Sequence, residues 1–311
     1  MSVEIRPLVE GDLGEADRVL RLAFGTEFGL PEPMAFRGDA EMVRTRWRAE
    51  RAGALGAFRG GQLLGTSFAA RWGSFGVFGP LTVRPDCWSQ GIGSRLLEPA
   101  MALFDAWKLR HSALFTFPQS LKHVGLYQKF GFWPQHLTAV MSKPVEAREL
   151  QAALFSELDD AQRAACLAEC AALAGSLLDG LDLGGELRSI HAQGLGDTVL
   201  LRDGASLEGF AACHVGKGSE AGSGSAYVKF GAVRPGEDAA GRFDRLISAC
   251  EALAAHRGCS QLVAGTNTAR HAAYRGMLER GFRSFLHGVA MQRPNDAGYN
   301  RPGCLVIDDW R

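Results

Sequence analysis

The chain repeats itself. Residues 83–97 read VRPDCWSQGIGSRLL and residues 233–247 read VRPGEDAAGRFDRLI, at an offset of 150. Without gaps, that offset pairs Val83 with Val233, Arg84 with Arg234, Pro85 with Pro235, Gly91 with Gly241, and Arg95-Leu96 with Arg245-Leu246. It goes on to pair Ala102-Leu103 with Ala252-Leu253, Gly131-Phe132 with Gly281-Phe282, and Met141 with Met291. A period this long describes two whole domains rather than a solenoid, and 311 residues fit two domains. The expected boundary lies near 143–150, after the strand-like LTAVMSK and Pro144, giving units 1–144 and 145–311. The Ala/Leu-rich stretch 159–178 reads as the first helix of the second unit, with Asp159 or Asp160 as N-cap. GKGSEAGSGS (216–225) reads as a flexible hairpin loop.

Composition narrows the classes. Lys plus Arg and Asp plus Glu both count 34, so no basic surplus points to nucleic acid and no polybasic stretch to an anionic membrane. No apolar run reaches the roughly 18 residues that span a bilayer, and no signal-like apolar core opens the chain, so a cytoplasmic location is expected. The 7 dispersed Cys fit reduced thiols. Cys166 and Cys170, without an answering pair, read as small core residues on one helix face, and no metal is expected.

Within the first unit, IRPL (5–8) reads as a strand and 12–24 as a helix. FRGGQLLGTSFAARWGSFGVFGPLTV reads as an antiparallel meander broken at Gly-Gly and Trp-Gly. Ile92, Leu96, Leu97, Ala100, Met101, Phe104 and Trp107 recur at helical spacing, with Pro99 predicting a kink or a shifted boundary. A strand at 112–117, a helix at 120–130 and a last strand at 136–142 complete the order β-α-βββ-α-β-α-β, a mixed α/β sheet with helices on its faces.

The chemistry-bearing segment is strand 77–83, a loop, and GIGSRLL opening a helix. A helix N-terminus offers unpaired N–H groups and a positive dipole end. Glycines there let backbone approach a phosphate closely. The Rossmann pattern fails because Leu96 holds its third glycine position, and no Gly-Lys-Ser/Thr follows to make a P-loop. The segment resembles the pyrophosphate-binding motif of the GCN5-related N-acetyltransferase (GNAT) superfamily, Gln/Arg-x-x-Gly-x-Gly/Ala. LYQKFGFWP (126–134) is similar to that family's Leu-Tyr-x-x-x-Gly-Phe signature, and EIRPLVEGD to its first strand and turn. The resemblance spans residues 4–142, with a fainter copy over 186–293, a layout similar to mycothiol synthases and other tandem members. It departs at Trp88, where the family carries Gln or Arg.

The resemblance implies two tandem GNAT-like domains, acetyl-CoA as cosubstrate and an amine as acceptor. It implies that the backbone of Leu81 and Val83 receives the pantetheine arm as an added strand. It also implies that Gln90, Gly91, Ile92, Gly93 and Ser94 hold the pyrophosphate. Tyr127 matches the family's tyrosine, expected to donate to the departing thiolate; a thiol near pKa 8.5 and a phenol near 10 suit that transfer. No carboxylate lies on GVFGPLTV to act as base, and Glu27, Glu32, Asp39 and Glu41 are not distinguished by sequence. His123, four residues before Tyr127 on the same helix face, reads first as a solvated side chain and second as a contact to cofactor or substrate. The second unit reads as a degenerate copy: Gly93 becomes Phe243 and Tyr127 becomes Met277. Its expected roles are completing the acceptor cleft or self-association, with a homodimer left open. The rival readings are a non-catalytic coenzyme A sensor and a two-domain interaction protein.

Overall fold

A computed structural model describes residues 2–146 and 149–311. The first half runs β1 (Glu4–Pro7), α1 (Leu13–Glu27), α2 (Val43–Ala49), β2 (Leu55–Arg59), β3 (Gln62–Trp72), β4 (Phe75–Val83), α3 (Ile92–Ala106), β5 (His111–Thr116), α4 (Leu121–Gln128) and β6 (Trp133–Pro144). The second half repeats that order: β7 (Ala153–Leu154), α5 (Asp160–Leu177), α6 (Gly184–Gln193), β8 (Gly196–Asp203), β9 (Ser206–Gly216), β10 (Gly222–Val233), α7 (Ala239–His256), β11 (Gln261–Asn267), α8 (His271–Glu279) and β12 (Arg283–Arg293). A short β13 (Val306–Ile307) follows. The expected boundary region includes residues 147 and 148, which lie outside the described residues.

Alternation along the strands builds two layers of core on each half. On β2 and β3, Phe58 and Leu63 face α1 and α2, packing with Leu13, Val19, Leu20 and Trp47. Their neighbours Ala57 and Leu64 face α3, packing with Ile92, Leu96, Leu97 and Phe104. In the second half, Leu200, Phe210 and Ala212 meet α5 and α6, while Val199, Ala211 and Cys213 meet α7. Cys166 and Cys170 lie on the buried face of α5. The predicted helix at 159–178 is thus α5, counterpart of α1, with Asp159 capping it through the Gln162 N–H at 2.8 Å.

Three expectations need correction. The seven-residue helix α2 was not anticipated, because it is too short to show a period. Of the two outcomes expected at Pro99, the shifted boundary does not occur: α3 runs through it from Ile92 to Ala106. The 216–225 loop does form the β9–β10 turn, but it is anchored rather than flexible: Ser219 and Glu220 are each 1% exposed. Ser223 and Ser219 bond across to Asp39 and Glu41 of the first half.

One sheet of 13 strands carries everything, in the order β1-β2-β3-β4-β5-β12-β6-β11-β10-β9-β8-β7, with β13 beside β10. The halves exchange their last long strands. β12 lies antiparallel between β5 and β6, and β6 lies antiparallel between β12 and β11. Met291 of β12 therefore packs in the first half's core with Leu96 and Phe132, and Met141 of β6 in the second half's core with Leu246 and Phe282. Met291→Ala should cost about 2–5 kcal/mol, the range for a buried Met truncation. The loss should appear in urea as an earlier single transition monitored in both halves; a second, separate transition would contradict shared strands.

Candidate active site

The strand β4 pairs in parallel with β5 only from Phe75–His111 to Phe78–Leu114. Beyond that the two strands part. Gly79, at φ 136°, sits where the pleat breaks. On its other edge β4 stays in register with β3, Thr82 opposite Thr66 and Val83 opposite Gly65. The Arg84 N–H donates to the Leu64 carbonyl at 2.8 Å. Hydrogen-bonded pairs alternate along an antiparallel ladder, so the backbone of residues 82 and 84 faces β3. The backbone of Leu81 and Val83 faces the open gap, the arrangement an added extended chain needs.

The gap leads to the α3 N-terminus. Gly91 is its N-cap, left-handed at φ 76°, with open space where a Cβ would stand. A Cβ on Gly93 would lie 3.3 Å from Leu126 of α4 and 3.7 Å from Leu81. Ile92 is in the core, so only its backbone reaches the site. Trp88 donates its indole N–H to the Val83 carbonyl at 2.7 Å, stapling the loop to the strand where the family has Gln or Arg. Gln90 is turned away: its amide donates to the Asp86 carbonyl, accepts from Arg59, and does not line the cavity. Ser94 does line it. Lys122, absent from the sequence expectations, brings its ammonium within 5.7 Å of the Trp88 ring. Its position in the first turn of α4 gave no pattern to find it by.

These parts open into one cavity of about 1170 Å³. Tyr127 forms part of its wall, 7% exposed and edge-on to Phe78 at 6.2 Å. Burial pushes its phenol well above the ordinary 10.0, so it remains a proton donor at neutral pH. Its hydroxyl has no hydrogen-bond partner among the described residues. His123, one turn earlier, also lines the cavity and is half-buried, correcting the solvated expectation. Burial lowers its pKa below 6.5, Lys122 adds to the depression, and Glu27 opposes it. Its Nδ1 meets the Ser120 hydroxyl at 2.8 Å. Of the four candidate carboxylates, Glu27 lines the cavity, Asp39 is tied to Ser223, Glu41 accepts from the Arg44 N–H at the start of α2, and Glu32 is exposed.

The second half has the same groove with a different occupant. β10 and β11 part after Val228–Ala264, but β13 enters the gap, pairing Ile307 with Gly231 and Val306 with Ala232. These positions are the counterparts of Leu81 and Thr82 at the 150 offset. α7 already begins at Ala239, so helix runs through the position of the Gly91 turn. Phe243, in place of Gly93, is 3% exposed and packs against Gly276, which stands in place of Leu126.

Residues 21–132 match the acetyltransferase (GNAT) family model. The whole chain superposes on a putative acetyltransferase from Pyrococcus horikoshii, with TM-score 0.69, 14% identity, and 99% of this chain and 95% of that chain covered. It also superposes on a GCN5-related N-acetyltransferase from Sphaerobacter thermophilus, with TM-score 0.57, 13% identity, and 94% and 95% covered. Comparison with curated proteins gives no match. Residues 21–132 thus carry a match to the GNAT family, and the superposed structures share the fold of the whole chain. The family match supports an acyltransferase, and the donor that family uses is acetyl-CoA. The open strand edge and the glycine turn fit that donor's arm and phosphates.

The pair Phe243/Gly276 suggests a transplant. Gly93→Phe with Leu126→Gly should rebuild the second half's filled turn in the first, at a helix-propensity cost of about 1 kcal/mol. Calorimetry should then show acetyl-CoA affinity lost by at least about 100-fold, the equivalent of about 2.7 kcal/mol. Wild-type affinity would remove residues 91–94 from the phosphate site.

Proposed function

We propose that the first half transfers an acetyl group from acetyl-CoA to an acceptor amine by direct attack, and that the second half is catalytically silent. We take units 1–144 and 145–311 as the two domains, each completed by the other's last strand. The observation that carries the reading is the single cavity joining the free edge of β4, the α3 N-terminus and Tyr127. The bound thioester supplies an activated acyl carbon; the new bond is C–N and the bond broken is C–S.

Leu81 and Val83 orient the extended arm through their gap-facing backbone. Gly91, Gly93 and Ser94 offer the phosphate cradle, with Ile92 contributing backbone alone, Gln90 flanking it and Lys122 adding charge. Tyr127 holds, at its hydroxyl, the proton the departing sulfur takes up. His123, kept neutral by burial, is suited to accept the proton the amine gives up. The filled groove at Gly231–Ala232 and the Phe243 turn support silence in the second half.

Tyr127→Phe should lower kcat by about 10²-fold, the scale of proton-transfer catalysis, with acetyl-CoA affinity unchanged. Thiol release over a panel of amines measures this, and wild-type turnover would remove Tyr127 from the mechanism. Because His123 is depressed, the acid limb of kcat/KM should fall below pH 6.5 in the wild type and vanish in His123→Gln. An acid limb that survives the substitution would assign it to another group.

A further inference from the structure

The cavity has a second polar end. Along β4 the phosphate cradle adjoins Val83, whereas Gly79 stands at the opposite end of the free edge, about 13 Å away at strand rise. There the Gly79 carbonyl accepts from Arg46 at 2.8 Å. Arg46 also grips Glu220 with both carboxylate oxygens, at 3.0 and 2.7 Å. Lys229 bridges Glu220 and Glu186 at 2.8 and 2.9 Å, and Arg311 lies 3.0 Å from Asp309. Arg46 also donates to the main-chain carbonyl of Arg311, so Arg46, Lys229 and Arg311 each have a partner within the cluster.

Arg37 is the cation here that lacks a carboxylate partner among the described residues. Its guanidinium donates to a backbone carbonyl, that of Glu220 at 2.6 Å. Its Nε is buried and unbonded. Burial and the neighbouring Arg311 lower its pKa to about 10, so it stays charged at neutral pH while short of a counter-ion. Its backbone is left-handed at φ 65°, a costly conformation for a residue with a Cβ. Arg37 and Arg311 both line the cavity. Beside them stands an aromatic wall: Phe36 stacks on Phe24 and Phe28 at 5.3 and 5.7 Å, and Phe117 meets Phe28 edge-on at 5.3 Å. Phe28 remains 41% exposed within this wall, an apolar surface without cover.

We propose that the acceptor is an amine carrying an anionic group on a flat apolar body, the anion held by the Arg37 guanidinium and the body lying against Phe28. This rests on the acetyl-transfer reading, since it assigns the far end of the same cavity to the acceptor. A guanidinium fork suits carboxylate and phosphate alike, so both are tested.

The full chain, saturated with coenzyme A, is titrated calorimetrically with phenylacetate, phenyl phosphate and the neutral phenylacetamide. At least one anion should bind tenfold or more tightly than the amide, and the tighter of the two identifies the group recognised. Arg37→Met should erase that preference while coenzyme A affinity stays unchanged. Arg37→Lys, with charge kept and the fork lost, should reduce it and serves if the Met variant does not fold. Equal binding of amide and anions, binding of none of the three, or a preference that survives Arg37→Met overturns the proposal. Failure of the wild type to bind coenzyme A would instead overturn the acetyl-transfer reading.

Discussion

The hydrogen-bonded run β5-β12-β6-β11 ties the molecule together. Each half leaves a place beside its fifth long strand and fills it with the last strand of the other. Backbone donors and acceptors on a buried strand must be paired, so neither half offers a complete sheet by itself. The exchange also sets what the cavity can contain. Phe285 and Leu286 of β12, and Trp310 and Arg311 from the segment after β13, line a cavity whose glycine turn and tyrosine belong to the first half. The second half acts on the site by furnishing wall.

The two grooves are the same structural event resolved in opposite ways. In both, a parallel pair separates four residues in, leaving one edge of the longer strand free. An exposed edge is a template for another extended chain. In the second half β13 satisfies it internally, and the Thr266 hydroxyl bonds the Val306 carbonyl at 3.1 Å to fix the insertion. The chain that leaves this plug then runs through Asp308, paired with the buried Arg270 at 2.6 Å, to Trp310 and Arg311. The same plug that closes one groove therefore delivers two residues to the cavity of the other.

Much of this was legible locally. The period of Ile92, Leu96, Leu97 and Phe104 fixed α3, and Gly91 marked its turn because a left-handed N-cap favours that residue. The resemblance to the family motif pointed to the free edge at Leu81 and Val83. Strand exchange was invisible, since a strand's apolar alternation states which face is buried and not which strand lies beside it. Arg37, Trp310 and Arg311 were missed for a similar reason: the contacts that bring them to the cavity include Arg37 with Glu220, Trp310 with Phe75 and Arg311 with Arg46, all far apart in sequence. That the Gln90 side chain is taken up by Asp86 and Arg59 could not be read from motif spacing. The Gly/Ser-rich turn was read as flexible from composition, whereas Glu220 within it is anchored by Arg46 and Lys229.

That anchor explains how the far end of the cavity is held in shape. Burying Glu220 would by itself raise its pKa, yet Arg46 and Lys229 hold it well below the ordinary carboxylate range. A buried pair of this kind contributes little net stability, but losing one partner costs about 3–5 kcal/mol. The cluster thus tolerates one arrangement and penalises the rest. It fixes the β9–β10 turn against α2, and through the Glu220 carbonyl it fixes Arg37. The left-handed backbone at Arg37 is held by these neighbours together with Asp39, whose carboxylate takes both the N–H and hydroxyl of Ser223. A guanidinium without a carboxylate partner, held in place at the end of the cavity, suits the anion proposed above because the neighbouring carboxylates are already committed elsewhere.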